Sequence, residues 1–326
     1  MKCNAIVVKK TGGPEVLEFT EQSVPEPGPG QALVRHRAIG LNFVEIYLRS
    51  GLYPAPAMPF TPGTEAAGIV EAIGPGVSEV AVGDRVAYAT GPSGSYAQAR
   101  VMPANLLVKL PGHLDEATAA AAMLKGLTAQ YLLFSTYAVK PGDTILVHAA
   151  AGGVGLILCQ WAKHLGAKVI GTVGSAEKAR LAAANGCDYP INYSAEDFVA
   201  RVREITRGAM VPVVYDSVGQ ATFMKSLDCL RPLGLMVSFG QSSGMVPPFT
   251  INLLGTKGSL YLTRPTLQTY AAARADLVRR SDALFQALGS GIVRCEIKRR
   301  FALRDAAEAH RALAARETTG SSVLIP

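Results

Sequence analysis

Between Thr144 and Ala162 the chain carries no Lys, Arg, Asp or Glu, and the run changes pattern in its middle. Thr144-Ile145-Leu146-Val147 has the β-branched, apolar character of a strand. His148 to Gly155 then reads HAAAGGVG, a turn, and a helix-forming stretch follows. The run approaches the length of a bilayer span, but the break in pattern argues for a strand, a turn and a helix instead. A strand that passes through a glycine turn into a helix opens a βαβ unit, and such units require a parallel sheet. The rhythm continues downstream. Strands are expected at 167–174, 188–193, 211–219, 234–240 and 259–263, with helices at 153–165, 176–185, 195–207 and 221–230. Six strands alternating with helices predict a doubly wound dinucleotide-binding fold.

The chain before Pro141 follows another rule. Short strand-like runs at 5–8, 32–40, 66–74 and 84–90 are separated by Pro25, Pro27, Pro29 and by Gly28, Gly30, Gly74, Gly76 and Gly83. Closely spaced short strands predict a barrel-like or irregular sheet. Asp115 is a good N-cap for a helix over 116–124, and 128–136 has the apolar spacing of a second one. Residues 267–289 read as one or two helices. The segment 291–326 returns to mixed strand and helix, ends on SSVLIP, and is expected to pack back onto the N-terminal part.

Composition narrows the functional classes. Of 326 residues 49% are hydrophobic and 17% charged, enough for packed cores and unlike a disordered chain. The net charge of +7 suits anionic ligands. The densest basic clusters, Arg279-Arg280 and Lys298-Arg299-Arg300, are too short for a nucleic-acid arm, and no aromatic–basic surface motif accompanies them. Cys3, Cys159, Cys187, Cys229 and Cys295 are scattered, with no C-x-x-C pair, which predicts free thiols in a reducing, cytoplasmic setting. The apolar run Ala5–Val8 is too short for a signal peptide.

Laid on the frame G-x-G-x-x-G, the stretch 148–155 places Ala150, Gly152 and Gly155 at the three glycine positions. Gly152 would let the backbone approach a pyrophosphate, Gly155 would let the helix pack closely on the sheet, and the helix N-terminus would supply N–H groups to the anion. Ala150 can serve if its position needs no positive φ. Sites for NAD commonly carry Asp or Glu at the end of the second strand, to bond the ribose hydroxyls. Here that end reads Val173-Gly174-Ser175-Ala176-Glu177-Lys178. Space at Gly174, a hydroxyl at Ser175 and a cation at Lys178 fit the 2′-phosphate of NADPH.

Several segments together resemble the zeta-crystallin-type quinone oxidoreductases of the medium-chain dehydrogenase/reductase superfamily, over essentially the whole chain. They are AAAGGVG (149–155), VGDRVAY (82–88), GLNF (40–43), RSGLYP (49–54), LKGLTA (124–129), YDSVG (215–219) and TRPTL (263–267). The resemblance implies an α/β protein: a GroES-like β-rich catalytic domain over 1–126 and 265–326, and a Rossmann NADPH-binding domain over 127–264. It also implies an active site in the cleft between them and a homodimer joined through the cofactor domains. It carries Asn42, Thr128, Gly153, Val154, Gly174, Ser175, Lys178, Tyr193, Phe239, Gly240, Ser242 and Arg316 onto the cofactor. Tyr193 would lie near the adenine and Arg316 near the 2′-phosphate or adenine. Asn42, Tyr47 and Tyr53 are implied as the polar catalytic candidates. The chain departs from the pattern at Gln241 and at MVPPFT (245–250), where relatives often carry Asn and a Gly/Ser-rich stretch.

Zinc members of the superfamily carry Gly-His-Glu where this chain has PGTEAAG (62–68), with Thr64 before Glu65. No cysteine lies between Cys3 and Cys159, and His36, His113 and His310 read as surface or structural residues. A metal site is therefore not expected. Without a Lewis acid the acceptor must itself take hydride well, as quinones and conjugated carbonyls do. The leading reading is NADPH-dependent quinone reduction. Reduction of α,β-unsaturated carbonyls by the same cofactor is the alternative, and an NADPH-binding structural or RNA-binding protein is the reading from another class.

Overall fold

The computed structural model describes residues 1–55, 57–315 and 319–326. Strands β1 (Lys2–Val7) and β2 (Glu18–Ser23) pair with each other. Then come β3 (Gln31–Gly40), helix α1 (Phe43–Ser50), β4 (Ala66–Ile73), β5 (Arg85–Tyr88), β6 (Ala99–Pro103), β7 (Val108–Lys109) and helix α2 (Glu116–Tyr131). The alternating part comprises β8 (Thr144–Val147), α3 (Gly153–His164), β9 (Lys168–Val173), α4 (Ala176–Ala184), β10 (Tyr189–Asn192) and α5 (Phe198–Ile205). It continues with β11 (Val211–Asp216), α6 (Phe223–Leu227), β12 (Leu230–Ser238), α7 (Asn252–Thr256) and β13 (Tyr261–Thr263). The chain closes with α8 (Leu267–Tyr270), α9 (Arg274–Gly289), β14 (Ile297–Ala302), α10 (Ala306–Ala314) and β15 (Ser321–Ile325).

These elements form two units. One is Met1–Leu127 with Ala271–Gly289 and Cys295–Pro326; the other is Thr128–Tyr270 with Ser290–Arg294. In the second, six parallel strands lie in the order β10-β9-β8-β11-β12-β13. This is the doubly wound order, with its topological switch between β8 and β11. The strands at its centre are buried on both faces, as a sheet covered by helices requires: Ile145, Leu146, Val147, Val169, Ile170, Val213 and Val214 have no exposed surface.

In the first unit, β14-β15-β3-β4-β5-β7 form a mostly antiparallel sheet, and β6 also pairs with β3. The returning C-terminal strand β15 sits beside β3, with Val323 opposite Gly40 and Leu324 opposite Ile39. The core of this unit joins residues far apart in sequence, from Ile6 and Val34 to Tyr96 and Leu324.

Two sequence expectations are corrected, and two strands form where none was expected. The two helical stretches at 116–124 and 128–136 are one helix, α2, which runs through Gly126 and passes into a wider turn over Leu132–Thr136. Gly126 marks a close approach instead of a break: a Cβ there would lie 2.4 Å from Leu284 Cδ1. The strand expected over 211–219 ends at Asp216, because the Asp216 carboxylate accepts from the N–H groups of Val218 and Gly219 and turns the chain. The strands β2 and β6 gave no period-two apolar signal. Every residue of β2 but Thr20 is exposed, so no buried face wrote itself into its sequence.

Candidate active site

The glycine turn lies at the C-terminal end of β8, at the switch point, where doubly wound folds bind their ligands. Gly152 is the N-cap of α3. The N–H groups of Gly153, Val154 and Gly155 form the first turn of the helix and have no acceptor within it. A Cβ on Gly155 would lie 2.2 Å from the Ala149 carbonyl oxygen and 2.8 Å from Ala150 Cα, so only glycine fits. The positive φ of the turn falls on Ala149, at 52°, and not on Ala150. Ala150 is fully buried and donates its N–H to Thr172 O at 3.0 Å. Space for its methyl comes from β9: a Cβ on Gly171 would lie 2.6 Å from it. The condition for alanine at the first position is therefore met.

At the end of β9, a Cβ on Gly174 would lie 3.0 Å from the Tyr193 hydroxyl, which brings these two residues together. Ser175 caps α4, its Oγ accepting from the Lys178 N–H at 3.2 Å. That bond uses an oxygen lone pair and leaves the hydroxyl hydrogen to donate elsewhere. Lys178 is half-buried on the first turn of α4, three residues beyond Ser175. The strand end carries no acid, as the sequence indicates.

A third turn, after β12, closes on β11. Phe239 and Gly240 donate to Asp216 O at 2.8 and 3.3 Å, and Ser242 donates to Ser217 O at 3.1 Å. A Cβ on Gly240 would lie 2.7 Å from Ser217 O. Asp216 is the organiser here. Fully buried, it accepts from Thr222 Oγ1 at 2.7 Å and Ser226 Oγ at 3.3 Å as well as from the two turn N–H groups. Ser226 Oγ in turn meets His148 Nε2 at 2.8 Å, and His148 Nδ1 meets Thr172 Oγ1 at 2.7 Å. One polar chain thus ties the glycine turn to the ends of β9 and β11. Burial holds His148 below the usual histidine pKa, against the pull of Asp216. Thr128 is buried, near Tyr131, whose ring stacks on Tyr270 at 4.5 Å. Arg316 lies outside the described residues.

The catalytic candidates of the β-rich unit fall into two groups. Tyr47, within α1, and Tyr53, just beyond it, have ring centroids 4.9 Å apart, and the Tyr53 N–H donates to Tyr47 O at 3.0 Å. Asn42, the N-cap of α1, joins a buried cluster. Its Nδ2 donates to Glu65 Oε1 at 2.8 Å, and the same oxygen accepts from Lys125 Nζ at 2.9 Å. Glu65 Oε2 accepts from the Leu124 N–H at 2.5 Å. Gly40 makes the room, since a Cβ there would lie 2.1 Å from Glu65 Oε1. Glu45, also on α1, accepts from the Asn42 N–H, the Thr64 N–H and the Thr64 hydroxyl at 2.9, 3.1 and 2.6 Å. Glu45, Glu65 and Lys125 escape a reading of motifs by residue type. Their signal is charge isolated in apolar surroundings, as in AAAAMLKGL and GTEAAG.

Where zinc members carry histidine, the Thr64 hydroxyl is engaged with Glu45. Among the described residues no group of three or more His, Cys, Asp or Glu side chains could hold a metal ion. His36 and His310 are structural: each is buried and bonded to a tyrosine hydroxyl, at 2.8 Å to Tyr88 and 3.0 Å to Tyr96. Burial pushes them down to about 4 and about 3.

Residues 28–112 match the family model of the alcohol dehydrogenase GroES-like domain, and 153–276 that of the zinc-binding dehydrogenases. A quinone oxidoreductase of Pseudomonas aeruginosa is 56% identical over 315 residues, covering 97% of each chain. A 2-haloacrylate reductase of a Burkholderia species is 48% identical, covering 99% of this chain and 98% of its own. The crystal structure of Escherichia coli quinone oxidoreductase complexed with NADPH superposes with a TM-score of 0.98 at 50% identity, covering 99% of this chain and all of the other. With such identity over nearly its full length, the chain belongs to the quinone oxidoreductase family of the medium-chain dehydrogenase/reductase superfamily.

Proposed function

We propose that this protein is an NADPH-dependent quinone reductase that works without a metal. The observation that carries the reading is the end of β9: a glycine that leaves space, a serine whose hydroxyl hydrogen is available, and Lys178, with no competing acid at the strand end. The glycine turn fits a pyrophosphate, because its glycines leave no side chain between the helix N–H groups and an anion.

NADPH, when bound, supplies the hydride. Gly152, Gly153, Val154 and Gly155 hold its pyrophosphate and Gly174, Ser175 and Lys178 its 2′-phosphate, with Tyr193 at the adenine. Phe239, Gly240, Ser242 and Thr128 belong to the same cofactor set, and so does Asn42. Asn42, Tyr47 and Tyr53 orient the acceptor. Holding donor and acceptor in register is the largest contribution a protein makes to such a transfer. The quinone reductase relative of P. aeruginosa and the NADPH complex from E. coli support this reading.

The test is NADPH oxidation by purified protein against benzoquinones, naphthoquinones, alkenals and 2-haloacrylate, with NADH as control. The reading expects quinones with NADPH to be turned over fastest. Faster turnover of the conjugated carbonyls would reassign the acceptor class, and equal rates with NADH would overturn the phosphate assignment.

The homodimer belongs to the same reading. The edge strand β13 exposes Tyr261 and Leu262 beside an unpaired row of backbone groups, an arrangement that suits pairing with a second copy. Light scattering on wild type and on Tyr261→Glu, with a monomer expected for the variant, tests it. Among the described residues no helix is long and apolar enough to cross a membrane, and the free cysteines fit the cytoplasm.

A further inference from the structure

Two carboxylates and one ammonium are sealed together in the β-rich unit. Glu45 and Glu65 are fully buried and Lys125 is 5% exposed. With all three ionised, the cluster would hold a net negative charge with little water to solvate it. The contacts divide the burden unevenly. Glu65 has the lysine, the Asn42 amide and a backbone N–H. Glu45 has only neutral donors, from Asn42 and Thr64. Burial pushes Glu45 up to about 7, with Glu65 adding to the rise and Thr64 and Lys125 opposing it. The other charged or titratable groups felt in this region are Arg49, on the same helix, Tyr88 and Tyr96, which burial keeps neutral, and Cys295, whose thiol burial pushes up. The cluster therefore stores one exchangeable proton near neutral pH, and it is stored on Glu45.

Asn42, Glu45, Glu65 and Lys125 are all buried; among the polar side chains of the cluster Thr64 is the one partly open to solvent. Its hydroxyl, 2.6 Å from Glu45 Oε1, is the outlet of the store. With Glu45 ionised, the hydroxyl must donate inward. With Glu45 protonated, the carboxyl donates to Thr64 Oγ1 instead, and the hydroxyl hydrogen is released to point outward.

We propose that the Thr64 hydroxyl delivers the proton to the developing hydroquinone oxygen and that Glu45 refills it. The proposal rests on the quinone reductase reading. Hydride brings two electrons to the quinone and leaves an anionic quinol oxygen. The Thr64 O–H bond breaks as the new quinol O–H forms. The Glu45 O–H bond breaks as Thr64 regains its hydrogen. Glu45 is left as a carboxylate and takes its next proton from solvent. Thr64 is then a catalytic residue and Glu45 a proton reservoir behind it.

The test is kcat against pH for quinone-dependent NADPH oxidation, in wild type, Thr64→Val, Thr64→Ser and Glu45→Gln, with NADPH affinity measured separately. The acid form of Glu45 is lost as pH rises through about 7, so wild-type kcat is expected to fall above that pH. Thr64→Val should lower kcat about a hundredfold, the usual scale of general acid catalysis, with NADPH affinity unchanged. Thr64→Ser should restore both rate and profile, and Glu45→Gln should remove the alkaline fall. If Thr64→Val does not fold, the serine variant and a normal solvent deuterium effect on wild-type kcat carry the test. A wild-type kcat flat across neutral pH, or a folded Thr64→Val with wild-type rate and profile, overturns the inference alone. A wild type that oxidises NADPH with no quinone overturns the function and the inference together.

Discussion

In the parallel-sheet unit the danger is an atom too many. A methyl on Gly155 would lie 2.2 Å from a carbonyl oxygen, so the turn closes on the sheet only with glycine there. In the β-rich unit the danger is a group too few. Glu65 has three donors around it, contributed by Asn42, Leu124 and Lys125, and each is needed because the carboxylate sees no water. One site is made of backbone and empty space, and its recipe fits within eight consecutive residues. The other is made of side chains brought from three distant segments. A site of the first kind tolerates side-chain deletion and fails on addition; a site of the second kind does the reverse.

Substitutions can break or sharpen this contrast. The largest effect is expected from Lys125→Met, which strands a buried carboxylate and should cost about 3–5 kcal/mol of stability in urea denaturation. The double variant Lys125→Met/Glu65→Leu should recover much of that loss; if it does not, the ion pair is not what the site depends on. Gly155→Ala comes next. Overpacking against backbone should cost about 3 kcal/mol and weaken NADPH binding by displacing α3, both visible by thermal melting with and without NADPH. A neutral Gly155→Ala would end the claim that this turn fails on addition.

Lys178→Ala should leave stability unchanged and weaken NADPH by about 2 kcal/mol, roughly thirtyfold, with NADH affected far less; titration calorimetry with both cofactors measures it. Equal losses would show that Lys178 does not read the phosphate. The smallest effect belongs to Ala149→Gly. Relief of a left-handed alanine, offset by the entropy of glycine, should raise stability by about 0.5 kcal/mol in urea denaturation.

The two units also differed in how much their sequences disclosed. The central strands β8, β9 and β11 left runs rich in Val and Ile, because strands buried on both faces must be largely apolar. Ala150 is the instructive case. The sequence allowed it on condition of an ordinary φ, but only the structure shows why its methyl fits, since the space is provided by Gly171 on another strand. In the β-rich unit the exposed strand β2 left no pattern, and the continuity of α2 through Gly126 was hidden because its reason is Leu284, far along the chain. Asn42 was legible as a polar candidate from its motif. Its engagement with Glu65 and Lys125 was not, because no local rule relates residues 42, 65 and 125.

The sequence by itself determined the βαβ rhythm, the glycine turn and the absence of an acid at the end of β9. Each of these is a local property, in which period, turn chemistry and helix capping act between near neighbours. Tertiary structure alone decided which buried carboxylate took the lysine and which was left with neutral donors. Desolvation and charge pairing depend on what surrounds a group in space, and the chain brought Glu45, Thr64, Glu65 and Lys125 together only by folding.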